Sequence, residues 1–239
     1  MITRPCSPAS FRRRLLRRAC AVSVTAGLVL GPSVTPAAAA TSVSCAAVVA
    51  PVTSTAVDGA WSAATRRLAA LAGPASFPFG ATGGGAYRRT NAYAWTSGFY
   101  PASLWLAFGR THDPAWQTLA RRYTDRLLPV AGWRGTHDLG FMIGLPVGLA
   151  RTLDPERAAR YDRALRVAAE SLSSRWNARI GALQSGTYAG RWGLIVDSAM
   201  NAPLLIEQGQ AAGGVAGRRL ARRGLAHLIT LRRDFVRAD

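Results

Sequence analysis

Lysine is absent from the 239 residues: all thirty basic positions are arginine, set against twelve acidic ones, for a net charge of +18. An all-arginine complement reads first as coding bias in a GC-rich genome. Cysteine is nearly absent too. Cys6 and Cys20 fall within an N-terminal leader, so Cys45 stands alone afterwards and an intramolecular disulfide is excluded. Ser42-Val43-Ser44 lacks the hydrophobic residue that a lipoprotein signal sets three positions before its cysteine, which argues against a lipid anchor. No apolar run reaches the roughly 20 residues of a membrane span; Ala19 to Leu30 is too short and is closed by Gly31-Pro32. Gly83-Gly84-Gly85 has neither a G-K-[ST] continuation nor a strand before it, so a phosphate cradle is excluded.

What the first forty residues do contain is an export signal. Arg12 to Arg18 gives a basic region, Ala19 to Leu30 an apolar one, and Pro36 to Ala40 an A-x-A site, with cleavage expected after Ala40. Arg12-Arg13-Arg14-Leu15-Leu16-Arg17 also fits the twin-arginine form, with Phe11 where Ser or Thr is usual, so the signal is of Tat or Sec type and the protein is expected to be secreted. Six arginines leave with it, taking the net charge from +18 to +12. That excess favours a polyanionic partner such as an acidic polysaccharide. The alternative is a merely solvated arginine-rich surface, since the arginines are spread over several helices without a dense run; nucleic acid is disfavoured because no binding motif is present and the export signal argues against it.

Residues 41–55 are small and polar without a period, an extended arm. Beyond them the periodicity predicts seven helices and no strand: 56–72, 97–106, 114–128, 137–150, 155–174, 197–209 and 216–235. The last five alternate between a striped helix and one apolar on nearly every side. A helix apolar all round must be sandwiched, while a striped one covers it, so the pattern predicts inner and outer helices of an all-α toroid. A closed ring of six hairpins needs twelve helices, and seven are counted. An arc of that kind leaves inner apolar faces open, so poor solubility or inactivity is expected of the chain by itself.

Asp197 lies in Arg191 to Leu205, RWGLIVDSAMNAPLL, between an apolar run and a helical pattern. It is either a helix N-cap or a functional carboxylate. Asp138, in HDLGF, occupies a similar junction, and paired carboxylates allow one to hold a proton while the other is ionised. His137 either binds a substrate or bonds a neighbouring backbone group. Trp95 precedes the second helix at a loop junction, where an exposed indole is a platform for the apolar face of a sugar.

Four segments in order, WTSGFYPASLW (95–105), THDLGFM (136–142), RIGALQS (179–185) and RWGLIVDSAMNAPLL (191–205), resemble the unsaturated glucuronyl hydrolases, glycoside hydrolase family 88. The resemblance spans about residue 56 onward and corresponds to the N-terminal part of the family's chain. It implies an (α/α)6 barrel that removes the 4,5-unsaturated uronic acid which polysaccharide lyases leave on an oligosaccharide. It implies hydration of a vinyl ether, without metal or cofactor. In that scheme Asp197 is the general acid and base, protonating C4 and activating the water that adds at C5, with Asp138 beside it. Trp95 and His137 line the sugar pocket, Gln184 and Asn201 give polar support, and Trp192 packs alongside. Gly186 stands where the family often has a stacking tryptophan, a wall that Tyr188 or Trp192 would have to replace. Rival readings are an unsaturated rhamnogalacturonyl hydrolase and an inactive, carbohydrate-binding relic.

Overall fold

The computed structural model describes residues 53–73 and 76–237. The leader and nearly all of the arm lie outside the described residues. The arm is shorter than expected at its end: Thr53 caps the first helix, its side chain accepting the Ala56 amide, and the helix begins at Ser54.

Seven α-helices occur among the described residues: α1 (Ser54–Ala70), α2 (Phe99–Thr111), α3 (Pro114–Leu127), α4 (Leu145–Leu153), α5 (Ala158–Ser173), α6 (Ala202–Ala212) and α7 (Gly214–Phe235). Their sequences explain their limits. Asp113 is extended and accepts the Ala115 amide at 2.8 Å, and Pro114, with no N–H to lose, opens α3. α5 buries Tyr161, Ala164, Leu165, Ala168, Ala169 and Leu172, a stripe at helical spacing. α2 packs on α3 and α4, α4 on α5, and α6 on α5 and α7. The helices thus form successive hairpins of an incomplete α/α toroid.

The core runs between the layers. Trp105 of α2 is fully buried and donates its indole N–H to Thr124 of α3 at 2.8 Å. Tyr123 meets Phe77 and Tyr100 edge-on, with ring centroids 5.5 and 4.7 Å away. Leu139, Met142, Ile143, Leu172 and Leu205 are also fully buried, each worth about 1.5–3 kcal/mol over exposure. By contrast Leu106 on α2 and Leu225 and Ile229 on α7 are exposed.

Two expectations are corrected. Three antiparallel ribbons occur where no strand was expected: β1 (Phe77–Ala81) with β2 (Tyr87–Thr90), β3 (Trp176–Asn177) with β4 (Ala182–Leu183), and β5 (Gly186–Tyr188) with β6 (Arg191–Gly193). Strands of two to five residues are too short to show an alternating period. The helix expected over 137–150 is also broken. Residues 133–138 are loop, the helical stretch opens at Leu139 and passes through a π-helical turn at Gly140–Gly144, and α4 proper starts at Leu145. Pro146 sits in its first turn, a position it tolerates, whereas in a helix begun at 137 it would have clashed with the preceding turn.

Candidate active site

Each inner helix of the last three hairpins is preceded by a tight turn: 3₁₀ at Trp95–Gly98 before α2, π at Gly140–Gly144 before α4, and 3₁₀ at Val196–Asn201 before α6. The turns mesh because glycines stand where they touch. A β-carbon at Gly98 would run into the Phe141 carbonyl, and one at Gly140 would lie 2.5 Å from Cα of Asn201. The Asn201 Oδ1 then accepts the Phe141 amide at 3.1 Å, fastening the α6 turn to the α4 turn.

That fastening brings His137, Asp138 and Asp197 together. The Nε2 of His137 lies 3.3 Å from Asp138 Oδ1 and 3.4 Å from Asp197 Oδ1. A nitrogen facing two carboxylate oxygens serves both only as a donor. Asp138 is further fixed by Thr136, whose hydroxyl donates to Oδ2 at 2.7 Å and accepts the Asp138 amide at 3.1 Å. The side chains of His137 and Asp138 are 10% and 13% exposed, but that of Asp197 is 46% exposed. One carboxylate is therefore held at the floor and the other stands at the rim.

The N-cap alternative for Asp197 does not hold. Ile195 is the cap residue of its turn, no side chain caps it, and the bond recorded for the Asp197 carboxylate is to His137. His137 bonds side chains, not the backbone group offered as its alternative. The three side chains each offer a ligand atom, all within 4.8 Å of one another, and are the group among the described residues that could hold a cation. Their spacing serves proton transfer equally well.

The other expected residues are placed unevenly. Trp95 is exposed and stands edge-on to Phe99 and Phe141, centroids 5.9 and 6.2 Å away, which leaves an indole face open beside the Asp138 turn. Asn201 is fully buried and acts as the fastening just described; its Nδ2 makes no hydrogen bond. Gln184 donates Nε2 to the Gly186 carbonyl at 3.0 Å and to the Thr187 hydroxyl at 3.3 Å, so its amide nitrogen is engaged within its own loop. Trp192 is half-buried in β6, paired with Thr187. Neither Gln184 nor Trp192 bonds the two aspartates directly. Beside Gly186, Tyr188 is exposed and fills the space a side chain there would need: a β-carbon on Gly186 would come within 3.2 Å of the tyrosine ring.

Two residues with no expected role tie this region together. Arg175 donates to the carbonyls of Gln184, Ser185 and Arg134 at 2.7, 3.2 and 2.9 Å, and Ser185 Oγ accepts the Ile195 amide at 3.2 Å. Burial pushes the Arg175 guanidinium below its ordinary range, while the Asp138 carboxylate acts in the opposite direction, so the two lie within electrostatic reach. His227 of α7 is fully buried, and burial lowers its pKa. Its place was readable: Leu220, Gly224, His227 and Leu231 share one face at helical spacing among exposed arginines.

No protein-family model matches the chain. Two curated relatives do. The unsaturated glucuronyl hydrolase of Bacillus sp. (strain GL1) is 30% identical over 171 residues, covering 68% of this chain and 44% of the relative. That of Formosa agariphila is 29% identical over 122 residues, covering 50% and 30%. Among solved structures, an unsaturated glucuronyl hydrolase specific for heparin superposes with a TM-score of 0.66 at 26% identity, covering 73% of this chain and 46% of that one. A variant of such an enzyme with dGlcA-Glc-Rha-Glc superposes with a TM-score of 0.65 at 27% identity, covering 77% and 48%. The chain spans less than half the length of the curated relatives it matches.

Proposed function

On the premise that the matched residues belong to the unsaturated glucuronyl hydrolase family, as its N-terminal part, we propose that they carry the acid–base half of a uronyl-releasing site. The substrate is an oligosaccharide ending in a 4,5-unsaturated uronic acid. The observation that carries this reading is the single imidazole nitrogen within 3.4 Å of both carboxylates, one buried and one at the rim. Asp197, reachable from solvent, gives a proton to C4 of the enol ether. As its conjugate base it takes a proton from the water that adds at C5. The resulting hemiketal opens, and the remaining sugar leaves with its anomeric hydroxyl restored. Atoms balance with one water consumed and no net change at the carboxylate. Asp138, held by Thr136 and His137, fixes the imidazole and keeps negative charge beside the reacting ring.

Trp95 supplies the apolar face against which the unsaturated ring lies, and Tyr188 is the aromatic group nearest the place left open by Gly186. Gln184, Trp192 and Asn201 frame this surface from the adjoining loops. Asn201, being buried, acts through the Phe141 amide. The net positive charge supports attraction of anionic oligosaccharides, and the leader supports export to where lyase products form.

The test follows the ultraviolet absorption of the enol ether in unsaturated glucuronyl disaccharides. Decay with the native chain and none with Asp197→Asn would carry the reading, and would overturn the inactivity expected of an open arc. Persistence of the band with folded native chain would count against activity in this chain, and equal decay in both would remove Asp197 from the reaction.

A further inference from the structure

His227 stands on α7, apart from the elements that carry the site residues named above, yet it touches the backbone of the immediate neighbours of two of them. The Leu183 amide, next to Gln184, donates to its Nδ1 at 3.2 Å. A backbone N–H can only donate, so Nδ1 carries no proton, and the ring's proton is on Nε2. Nε2 lies 3.2 Å from the carbonyl of Ser198, the residue after Asp197, and donates to it. The tautomer follows from the two partners and needs a neutral ring, in keeping with the burial that disfavours its charged form.

The turn that presents Asp197 is tied to the rest of the protein at its two ends, by Ser185 Oγ accepting the Ile195 amide and by Asn201 Oδ1 accepting the Phe141 amide; between them stands the stretch that carries the carboxylate. Its N-cap lacks a side-chain bond, and the Asp197 carboxylate is at the rim. Ser198 bonds back within the turn, its amide and hydroxyl both donating to the Ile195 carbonyl at 3.2 and 2.5 Å. Those bonds shape the turn but do not tie that stretch to the rest of the protein. The imidazole does.

We propose that His227 is a positioning residue for Asp197: its Nε2–H to the Ser198 carbonyl sets where the carboxylate stands relative to His137 and Asp138. This rests on the reading of Asp197 given above. It assigns function to one of the two imidazole bonds, so the bonds can be tested apart. In His227→Asn the amide oxygen takes the place of Nδ1 and keeps the Leu183 bond, but nothing reaches Ser198. In His227→Gln the amide nitrogen reaches the place of Nε2 and keeps the Ser198 bond. Both lose packing and one hydrogen bond, so a merely structural histidine would make them alike.

The experiment measures uronate release from an unsaturated glucuronyl disaccharide by the full chain and both variants, per folded molecule, together with crystal structures of all three. The expected result is a fall in kcat of about 10- to 100-fold for His227→Asn with KM nearly unchanged, against a few-fold fall for His227→Gln. In the structures, Asp197 departs from His137 in the Asn variant and keeps its place in the Gln variant. Equal kcat losses, or an Asn variant that loses stability while keeping kcat, would overturn the proposal. Should the native chain release no uronate, the functional reading fails on that point, and the structures alone decide: an undisplaced Asp197 in His227→Asn then overturns the positioning role.

Discussion

Asp154 and Asp197 are the same side chain in opposite surroundings. Asp154 follows α4, has no exposed surface, and has both oxygens engaged: Arg121 donates from Nε at 2.9 Å and from a terminal nitrogen at 2.5 Å, and the Tyr161 hydroxyl donates at 2.8 Å. Burial alone would raise its pKa, but the hydrogen bonds from Arg121 and Tyr161 and the arginine charge outweigh it and hold the carboxyl below its ordinary range. Asp197 is nearly half exposed and faces a single imidazole nitrogen that it shares with Asp138. A saturated carboxylate joins helices; one with free lone pairs can exchange a proton. Position in the sequence does not separate them, since both lie beside the start of a helical stretch.

Exchanging charge for amide at each site breaks the comparison most sharply. Asp197→Asn is expected to lower uronate release by about 10²- to 10⁴-fold while leaving the urea midpoint within about 0.5 kcal/mol of native. Parallel steady-state kinetics and denaturant titration read both effects. Asp154→Ala should do the reverse. Leaving the partly buried Arg121 with only the exposed Glu156, and Tyr161 without its acceptor, is expected to cost about 3 kcal/mol of stability, seen as a lower urea midpoint, with kcat per folded molecule preserved. A smaller effect belongs to Trp95→Ala: loss of the open indole face should raise KM by about tenfold, roughly 1.4 kcal/mol, with kcat little changed.

The finest distinction is in the pH dependence of stability, where each step is limited to about 1.4 kcal/mol per pH unit for a single proton. His227 has a lowered pKa in the fold, so the unfolded chain binds its proton first as pH falls. Its contribution is present above the ordinary value of 6.5 and is lost as pH drops from there toward the folded pKa. Asp154 is lowered as well, so its contribution is present above its ordinary 3.8 and is lost below it. Denaturant midpoints against pH should show two declines, the first removed by His227→Gln and the second by Asp154→Ala.

The helices were legible because apolar residues on α5 and α7 repeat every three or four positions, and Asp113-Pro114 marks a start by local chemistry alone. The two aspartates were legible as residues at junctions, and the choice between cap and proton carrier was open. The cap reading is removed by Ile195, which takes the cap position, and the proton-carrier reading proposed above is supported by His137, sixty residues away in sequence from the carboxylate it faces. The π turn at Gly140–Gly144 was not legible: Pro146 just beyond it was visible, but the meshing of the turn against Asn201 is a contact with no local signature. Nor were the ribbons, whose strands are shorter than any readable period. His227 was visible as a buried position but not as a brace, because its partners are backbone groups, and every residue has those.

The sixty-residue separation of His137 from Asp197 bears on how the site assembles. Closing a loop of that length costs on the order of 4 kcal/mol in chain entropy, more than one hydrogen bond of about 1 kcal/mol can return. The carboxylates therefore do not draw their own segments together; the packing of α4, α5 and α6 closes the loop, and the acidic pair meets as a by-product. Proton-transfer geometry then depends on the docking of α6, and it should vanish at denaturant concentrations where circular dichroism still reports intact helices.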